Sequence, residues 1–599
     1  MAKQSNLKNK KQVVKTIAPV KKNNTLFLLI FITCILTFIS YIPSLTGQAD
    51  IWDDYYYLSV DPLIKSLSWS NIKTIFTVPY LANYQPLTIL SYALEYHFCK
   101  LTPWPYHFNN IIIHILNTAL LFWFIQKLTS KTPVAFITAL LFGIHPLHVE
   151  SVTWVSERKD VLYAFLFILG LMSYLRFKEM KEKKYYFFTL ILFVFSCLSK
   201  GMAVTFSAIL ILIDYLKDKE FKFSKLVDKI PFFIISLIFG IVAVKVQKAG
   251  GAVAFANNEA YTLSDRFFFA NYSFFFYVYK MFIPFHLSGL YPYPQNSGIP
   301  LPTMYYISPF ANAAFLFLVI YSIKRSKNIV FGSLFFLISI FPVLQIISIG
   351  ASIATDRYFY VSSIGLFFIA GTGFYNLYEN KKYKNYKSWF AILGSFIILA
   401  FSCLTFERTT VWKNCGTFWG NVAEEFPKLE LAYYNRAAYY YSNKNYDAAL
   451  ADFSKSLQIY PNYKEALQWR ADIFIKKTQY ALAAEDLSRL TKLDSKNFEN
   501  YSKLGEIYGR YLNDPVKADT FLLKATQLKP DDSSVLDNLG IVNVMKGNFQ
   551  QALQYFKKAF EINPNDTNTL KNIAITYKNL GNEKMANDCF SKLMQMKKK

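Results

Sequence analysis

Cysteine and histidine are scarce, six of each in 599 residues. Cys34, Cys99, Cys197, Cys403, Cys415 and Cys589 form no CxxC pair and follow no regular spacing, so the chain encodes neither a disulfide framework nor a zinc ribbon. Three of them lie inside or at the edges of apolar runs and read as small core residues; a Cys99–Cys415 bridge outside the membrane is the one pairing left open. His145 and His148 are spaced for a metal on one helical turn, but Pro146 disrupts that turn and no second pair exists to complete a site. Acidic residues are also short, 40 against 65 Lys and Arg, for a net charge of +25. The bases cluster in short runs between apolar segments, as the positive-inside rule requires, which argues against nucleic-acid binding.

What is abundant is apolar surface. Hydrophobic residues make up 53% of the chain and aromatics 18%, with a mean hydropathy of +0.20, too apolar for a soluble protein of this size. Lys8 to Lys22 precede Leu26–Ile42 without a small-residue cleavage site, which predicts an uncleaved first helix entered from a basic cytoplasmic segment, residues 1–24. Further runs of spanning length are Phe108–Phe124, Pro133–Val149, Val161–Phe177, Ile230–Val246, Met304–Ile323, Ile329–Ile347, Tyr358–Tyr378 and Trp389–Phe406. Tyr185–Leu198 and Met202–Leu216 are shorter and flank a tight hairpin at Ser199-Lys200-Gly201. The basic clusters at 127–131, 176–184, 217–229, 324–327 and 381–387 alternate correctly if Arg266–Phe285 is re-entrant or interfacial, giving about eleven spans over residues 25–406. The remainder then falls outside the cytoplasm, after a linker at 407–429.

Residues 430–599 repeat. Alignment on Pro461, Pro530 and Pro564 gives a period of about 34 residues with the helix-turn-helix signature of tetratricopeptide repeats. One unit carries Leu536, Leu539, Gly540, Ala552, Phe556, Ala559 and Pro564. About five units are expected, the third with one extra residue in its turn, stacked into a superhelix that binds peptide or protein. The predicted fold class is all-α, a polytopic bundle followed by an α-solenoid.

Every chemistry-bearing motif lies in a segment that the charge argument places outside. Asp53 and Asp54 follow the first span; His148, Glu150, Arg158 and Asp160 lie between the third and fourth; Lys200 is in the hairpin; Asp356 and Arg357 open the run at Tyr358. Acids and bases gathered at one membrane face suit a polar or charged ligand. An aspartate there is a candidate general base, against the alternative of a helix cap for Tyr55-Tyr-Tyr-Leu. Arg357 offers a bidentate fork for phosphoryl oxygens, against snorkelling at the membrane edge. Lys200 is a weaker case of the same kind, and Glu150, Arg158 and Asp160 either contact substrate or form a solvated salt-bridge set. Tyr291-Pro-Tyr-Pro294 either floors a groove for lipid or sugar or anchors the interface.

Taken in order, the first span, the acidic pair, His145-Pro-x-His-x-Glu150, Glu157-Arg-Lys-Asp160, Ser199-Lys200, Asp356-Arg-Tyr-x-Tyr360 and the repeats resemble the transmembrane and tetratricopeptide-repeat O-mannosyltransferases and their bacterial relatives, of the C-type glycosyltransferase superfamily. The likeness runs over nearly the whole chain, with a departure at Lys159, where the animal proteins commonly have a small residue. The resemblance implies an inverting transferase that passes a sugar from a polyprenyl-phosphate donor to a hydroxyl, with protein serine or threonine as acceptor. Asp53 or Asp54 would take the acceptor proton, and Arg357, with Lys200 or Arg158, would hold the donor phosphate. It implies a multi-pass protein of a bacterial inner membrane, with the array outside recruiting acceptor or partner. Superfamily members differ in using a divalent metal, so the resemblance leaves a metal cofactor open. A polysaccharide polymerase or ligase and a membrane-anchored scaffold are the competing expectations.

Overall fold

The computed structural model describes residues 24–218, 223–251, 261–294, 300–346, 350 and 352–598; the basic segment Lys8–Lys22 lies outside them. The chain divides into two compact units, Met1–Asn414 and Cys415–Lys599.

The first unit is a helix bundle: α1 Asn24–Tyr41, α2 Trp69–Thr77, α3 Pro86–Cys99, α4 Pro103–Thr129, α5 Thr132–Ile144, α6 Val149–Thr153, α7 Arg158–Met180, α8 Lys183–Ser199, α9 Phe206–Lys217, α10 Ile230–Ala249, α11 Leu263–Phe282, α12 Thr303–Ser322, α13 Lys327–Ile340, α14 Phe359–Glu379 and α15 Lys387–Val411. Prolines in the first turns of α3, α4, α5 and α10 start those helices at positions whose N–H needs no partner.

Among the described residues, seven of these helices are long and apolar enough to cross a membrane, and the pair α5–α6, bent by 55°, is either a broken eighth span or a re-entrant loop. The remaining apolar runs form α8, α9 and α13, of 17, 12 and 14 residues, at or below the length of about 17 that spanning requires. The run expected to be re-entrant or interfacial forms one continuous helix, α11, begun by a capping box at Thr262 and Asp265 and outside the set of candidate spans; it is not re-entrant. The chain is a multi-pass membrane protein.

α14 is the axis of the bundle: 67% of its most apolar stretch is buried, against 6% for the stretch of α15. Small residues let backbones close on it. A Cβ at Gly332 would stand 2.5 Å from the Gly365 carbonyl oxygen, and one at Gly371 would stand 3.0 Å from that of Val134, so α13 and α5 meet α14 backbone to backbone. Within this core α4 carries polar side chains that find partners: Asn117 Nδ2 donates to Val161 O at 2.8 Å and to Tyr360 Oη at 3.1 Å. These contacts set the height and rotation of the α14 N-terminus, which bears Asp356 and Arg357.

The second unit begins with helix Cys415–Glu425, so the stretch expected as a linker is largely helical. Five helix pairs succeed it, starting at Glu430, Lys464, Phe498, Ser533 and Thr567. The extra residue of the third repeat is taken up inside its first helix, as a π-turn at Ile507–Tyr511, rather than in the connecting turn. A π-turn absorbs one residue while the next helix of the pair keeps its register. Ala437, Ala449, Phe453, Ala471 and Ala483 are among the fully buried small and aromatic residues of the first repeats, and Ala552 and Phe556 repeat the pattern near the end. Arg436–Asp452 and Arg470–Asp486 form equivalent ion pairs in repeats one and two.

Candidate functional site

Four segments separated in sequence meet at the head of α7 and α14. The first comes directly after α1. Trp154 Nε1 donates to Ile51 O at 3.1 Å, and Asp54 accepts from Ser156 N at 2.9 Å, from the Ser156 hydroxyl, and from Ile51 N at 3.3 Å. Asp54 is thus a buried clasp between the first loop and the 154–157 turn; burial pushes its carboxyl up to about 7 despite those bonds. It precedes the π-turn Tyr55–Val60 without capping it. Asp53 is only partly buried. Burial raises its carboxyl too, opposed by the positive charge of Lys159.

The second segment is a helix broken by its own sequence. α5 stops at Ile144 because Pro146 cannot continue it, and the chain re-forms as a 3-10 turn, α6, and a second 3-10 turn at Val155–Glu157 before α7. This zigzag delivers Glu150, Glu157, Lys159 and Asp160 to one place. The third segment, Lys200 at the end of α8, pairs with Asp160 and stands 3.6 Å from Glu157. The fourth is the turn Asp356–Tyr358: Arg357 pairs through its guanidinium with Glu150 and, at 3.3 Å, with Glu157, while its backbone N–H donates to Glu150 at 3.2 Å.

Glu157 is therefore the hub, facing Lys159 at 3.0 Å, Lys200 and Arg357 together. The layering matters. Side chains of Glu150, Glu157 and Asp160 are 0–1% exposed, whereas those of Arg357, Lys200 and Lys159 are 20%, 12% and 8% exposed. Carboxylates underneath hold three cations on the accessible side. Buried ions need such pairing to remain charged, and here the cations are the more accessible members of the cluster. Each of these three carboxylates already faces Lys or Arg, a donor set that does not fit a divalent metal. Among the described residues no group of three His, Cys, Asp or Glu is arranged to hold one.

Three of the expected residues point elsewhere. Arg158 turns to the opposite side of α7, pairing with Glu95 and donating to Asn110 Oδ1 and Tyr106 O, each at 2.8 Å. His148 is fully buried with its ring nitrogens at Phe142 O (2.7 Å) and Ser363 Oγ (3.1 Å), so it braces the break against α14. Asp356 accepts from Tyr291 Oη at 2.9 Å, with Arg408 at 3.8 Å. Tyr291 lies in strand β1, Tyr291–Pro292, paired antiparallel with β2, Ser352–Ala354, so that motif anchors the Asp356 turn. All six cysteines are free thiols. Glu157 and Lys159 join the cluster although neither was singled out as a site residue. The signal was present: Glu157 and Asp160 are three apart, and Arg158 falls on the other face.

Tetratricopeptide-repeat models match residues 431–463 and 533–566. Protein O-mannosyl-transferase F38B6.6 of Caenorhabditis elegans is 23% identical over 420 residues, 68% of this chain and 58% of the relative. Protein O-mannosyl-transferase TMTC3 of Homo sapiens is 24% identical over 569 residues, 79% of this chain and 61% of the relative. The chain thus spans about 60% of the length of these two relatives. Among solved structures, the crystal structure of MamA protein matches 28% of this chain and 92% of its own at 21% identity, with a TM-score of 0.27.

Proposed function

We infer that this chain, a homologue of the transmembrane and tetratricopeptide-repeat proteins named protein O-mannosyl-transferases, is a membrane glycosyltransferase that moves a sugar, mannose by likeness, from a polyprenyl-phosphate donor to a protein hydroxyl. The observation that carries this reading is the layered cluster: three cations on the accessible side suit the donor phosphate, and the partly exposed Asp53 beside them suits a general base. Asp54 is the poorer base, because three donors from Ser156 and Ile51 occupy its oxygens.

In the proposed step the acceptor O–H proton passes to Asp53 as the oxygen bonds to the anomeric carbon. The bond from that carbon to the phosphate oxygen breaks, and polyprenyl phosphate leaves with the electron pair. Attack from the side opposite the phosphate inverts the anomeric configuration. Arg357, Lys200 and Lys159 carry the charge that returns to the phosphate, held in place beforehand by Glu157, Glu150 and Asp160. Preorganised charge of this kind is a principal source of catalysis where the leaving group is already good.

The repeat array is proposed to hold the protein acceptor or an assembly partner. For orientation we propose a cytoplasmic N-terminus with the cluster and the array outside, in a bacterial inner membrane; a reporter fused after Phe406 that signals from the cytoplasm would reverse this. The function itself is tested by incubating purified protein with short-chain polyprenyl phosphomannose and a serine- and threonine-rich peptide. Mannosylated peptide is expected from wild type and not from Asp53→Asn.

A further inference from the structure

The residue before the candidate base adopts a backbone that its side chain disfavours. Trp52 has φ of 49°, in the left-handed region that is uncommon for a bulky residue and that persists where surrounding contacts enforce it. Here they do: the Ile51 carbonyl on one side accepts both the Trp154 indole and the Asp54 N–H, and Asp54 on the other is clasped by Ser156. The consequence is the direction of the indole. Trp52 neighbours Trp154 with ring centres 6.3 Å apart and planes tilted by 31°, and Trp154 neighbours Trp412 at 5.5 Å and 30°. Exposure rises along the three indoles, from 0% at Trp412 to 4% at Trp154 and to partial exposure at Trp52. The Arg357 guanidinium stands 5.5 Å over the middle ring. Three neighbouring indoles thus lead from the core toward the rim, with the phosphate-seeking arginine over the middle one, and the partly exposed Trp52 directly precedes the aspartate in the chain.

A sugar ring held between a phosphate and a base presents a face of C–H groups and a rim of hydroxyls. An indole covers that face, and its electron-rich surface favours the positive charge that develops at the anomeric carbon. We propose that Trp52 is the platform on which the transferred sugar of the donor lies, fixing which side of its anomeric carbon meets the hydroxyl activated by Asp53. This rests on the donor reading above and adds to it a residue that senses the sugar rather than the phosphate.

The experiment separates those two parts of the donor. Equilibrium binding of short-chain polyprenyl phosphate, with and without mannose, is measured for wild type, Trp52→Ala and Trp52→Phe. Wild type is expected to prefer the mannosyl form. Trp52→Ala should weaken that form about tenfold, the effect of uncovering one apolar ring face, and leave bare polyprenyl phosphate unchanged, while Trp52→Phe should retain most of the preference. Equal weakening of both ligands by Trp52→Ala, no weakening of either, or Trp52→Phe as weak as Trp52→Ala would each overturn the platform. Wild type that binds bare phosphate and mannosyl phosphate equally would overturn it as well. Binding of neither form to wild type would instead remove the donor reading, and the platform with it.

Discussion

Asp53 and Asp54 are adjacent and chemically identical, yet the structure separates what their loss should do. Asp54→Ala would strip the acceptor from Ser156 N, Ser156 Oγ and Ile51 N in a site where Asp54 is 1% exposed. Leaving buried donors unsatisfied costs about 1–3 kcal/mol each, so a total of about 4 kcal/mol is expected after the serine hydroxyl rotates to relieve part of it. Asp53→Asn removes no hydrogen bond of that kind and should leave stability within about 0.5 kcal/mol, while transfer falls by about a hundredfold or more. The assay is paired: thermal midpoint in detergent, and initial rate of peptide mannosylation, on the same preparations. Asp54 also carries a pH signature. Its folded-state carboxyl, raised to about 7 by burial, favours the protonated form, so its contribution is full below the unfolded value of about 4 and fades as pH rises through 7. The stability advantage of wild type over Asp54→Asn should therefore shrink by about 2–3 kcal/mol between about pH 5 and pH 7. A silent Asp53→Asn, together with an Asp54→Asn that keeps its midpoint and loses transfer, would refute the assignment.

Arg357→Ala would leave Glu150 and Glu157 with less compensation, and breaking a buried pair costs about 3–5 kcal/mol, so Arg357→Lys is the cleaner probe: donor affinity should fall, acceptor affinity should not, and titration of each substrate checks it. A Cβ at Gly365 would stand 2.2 Å from the Gly332 carbonyl oxygen and 2.7 Å from Phe336 N; Gly365→Ala should force α13 and α14 apart and abolish the monodisperse peak in size-exclusion chromatography. Deleting Leu431–Lys599 should leave the bundle folded, because the repeats bury their own core. Transfer to a short peptide should then survive and transfer to a native protein acceptor should drop; loss of both, from an intact bundle, would assign the array to the active site.

The repeats were legible because one period governs every unit, and even the extra residue of the third was visible as a broken spacing. Where it would go was not, since a turn and a π-turn absorb a residue equally well in sequence. The apolar runs marked the helices of the bundle, and the shortness of the run that forms α9, a helix of 12 residues, was readable, but a few residues at either end decide spanning, and the end of α13 at Ile340, inside the run Ile329–Ile347, was not. At the candidate site, membership of a loop was readable and direction was not. Arg158, Lys159 and Asp160 are consecutive, and only the turn at Val155–Glu157 sends Arg158 to Glu95 and its neighbours to Glu157 and Lys200. The same holds for Asp356 and Arg357, which face Tyr291 and Glu150 respectively, and for His148, whose spacing from His145 suggested a ligand while tertiary packing gave its nitrogens to Phe142 and Ser363.

If the cations above Glu157 seat a sugar-bearing lipid phosphate for inverting transfer by Asp53, the product's anomeric carbon records it. The measurement is the anomeric configuration of the product formed by purified wild-type protein from short-chain polyprenyl phosphomannose and a hydroxyl-bearing peptide, read by NMR. Mannosyl peptide of configuration opposite to the donor is expected, formed by wild type and lost in Asp53→Asn. Product with the donor's configuration, or equal product from both proteins, would contradict it.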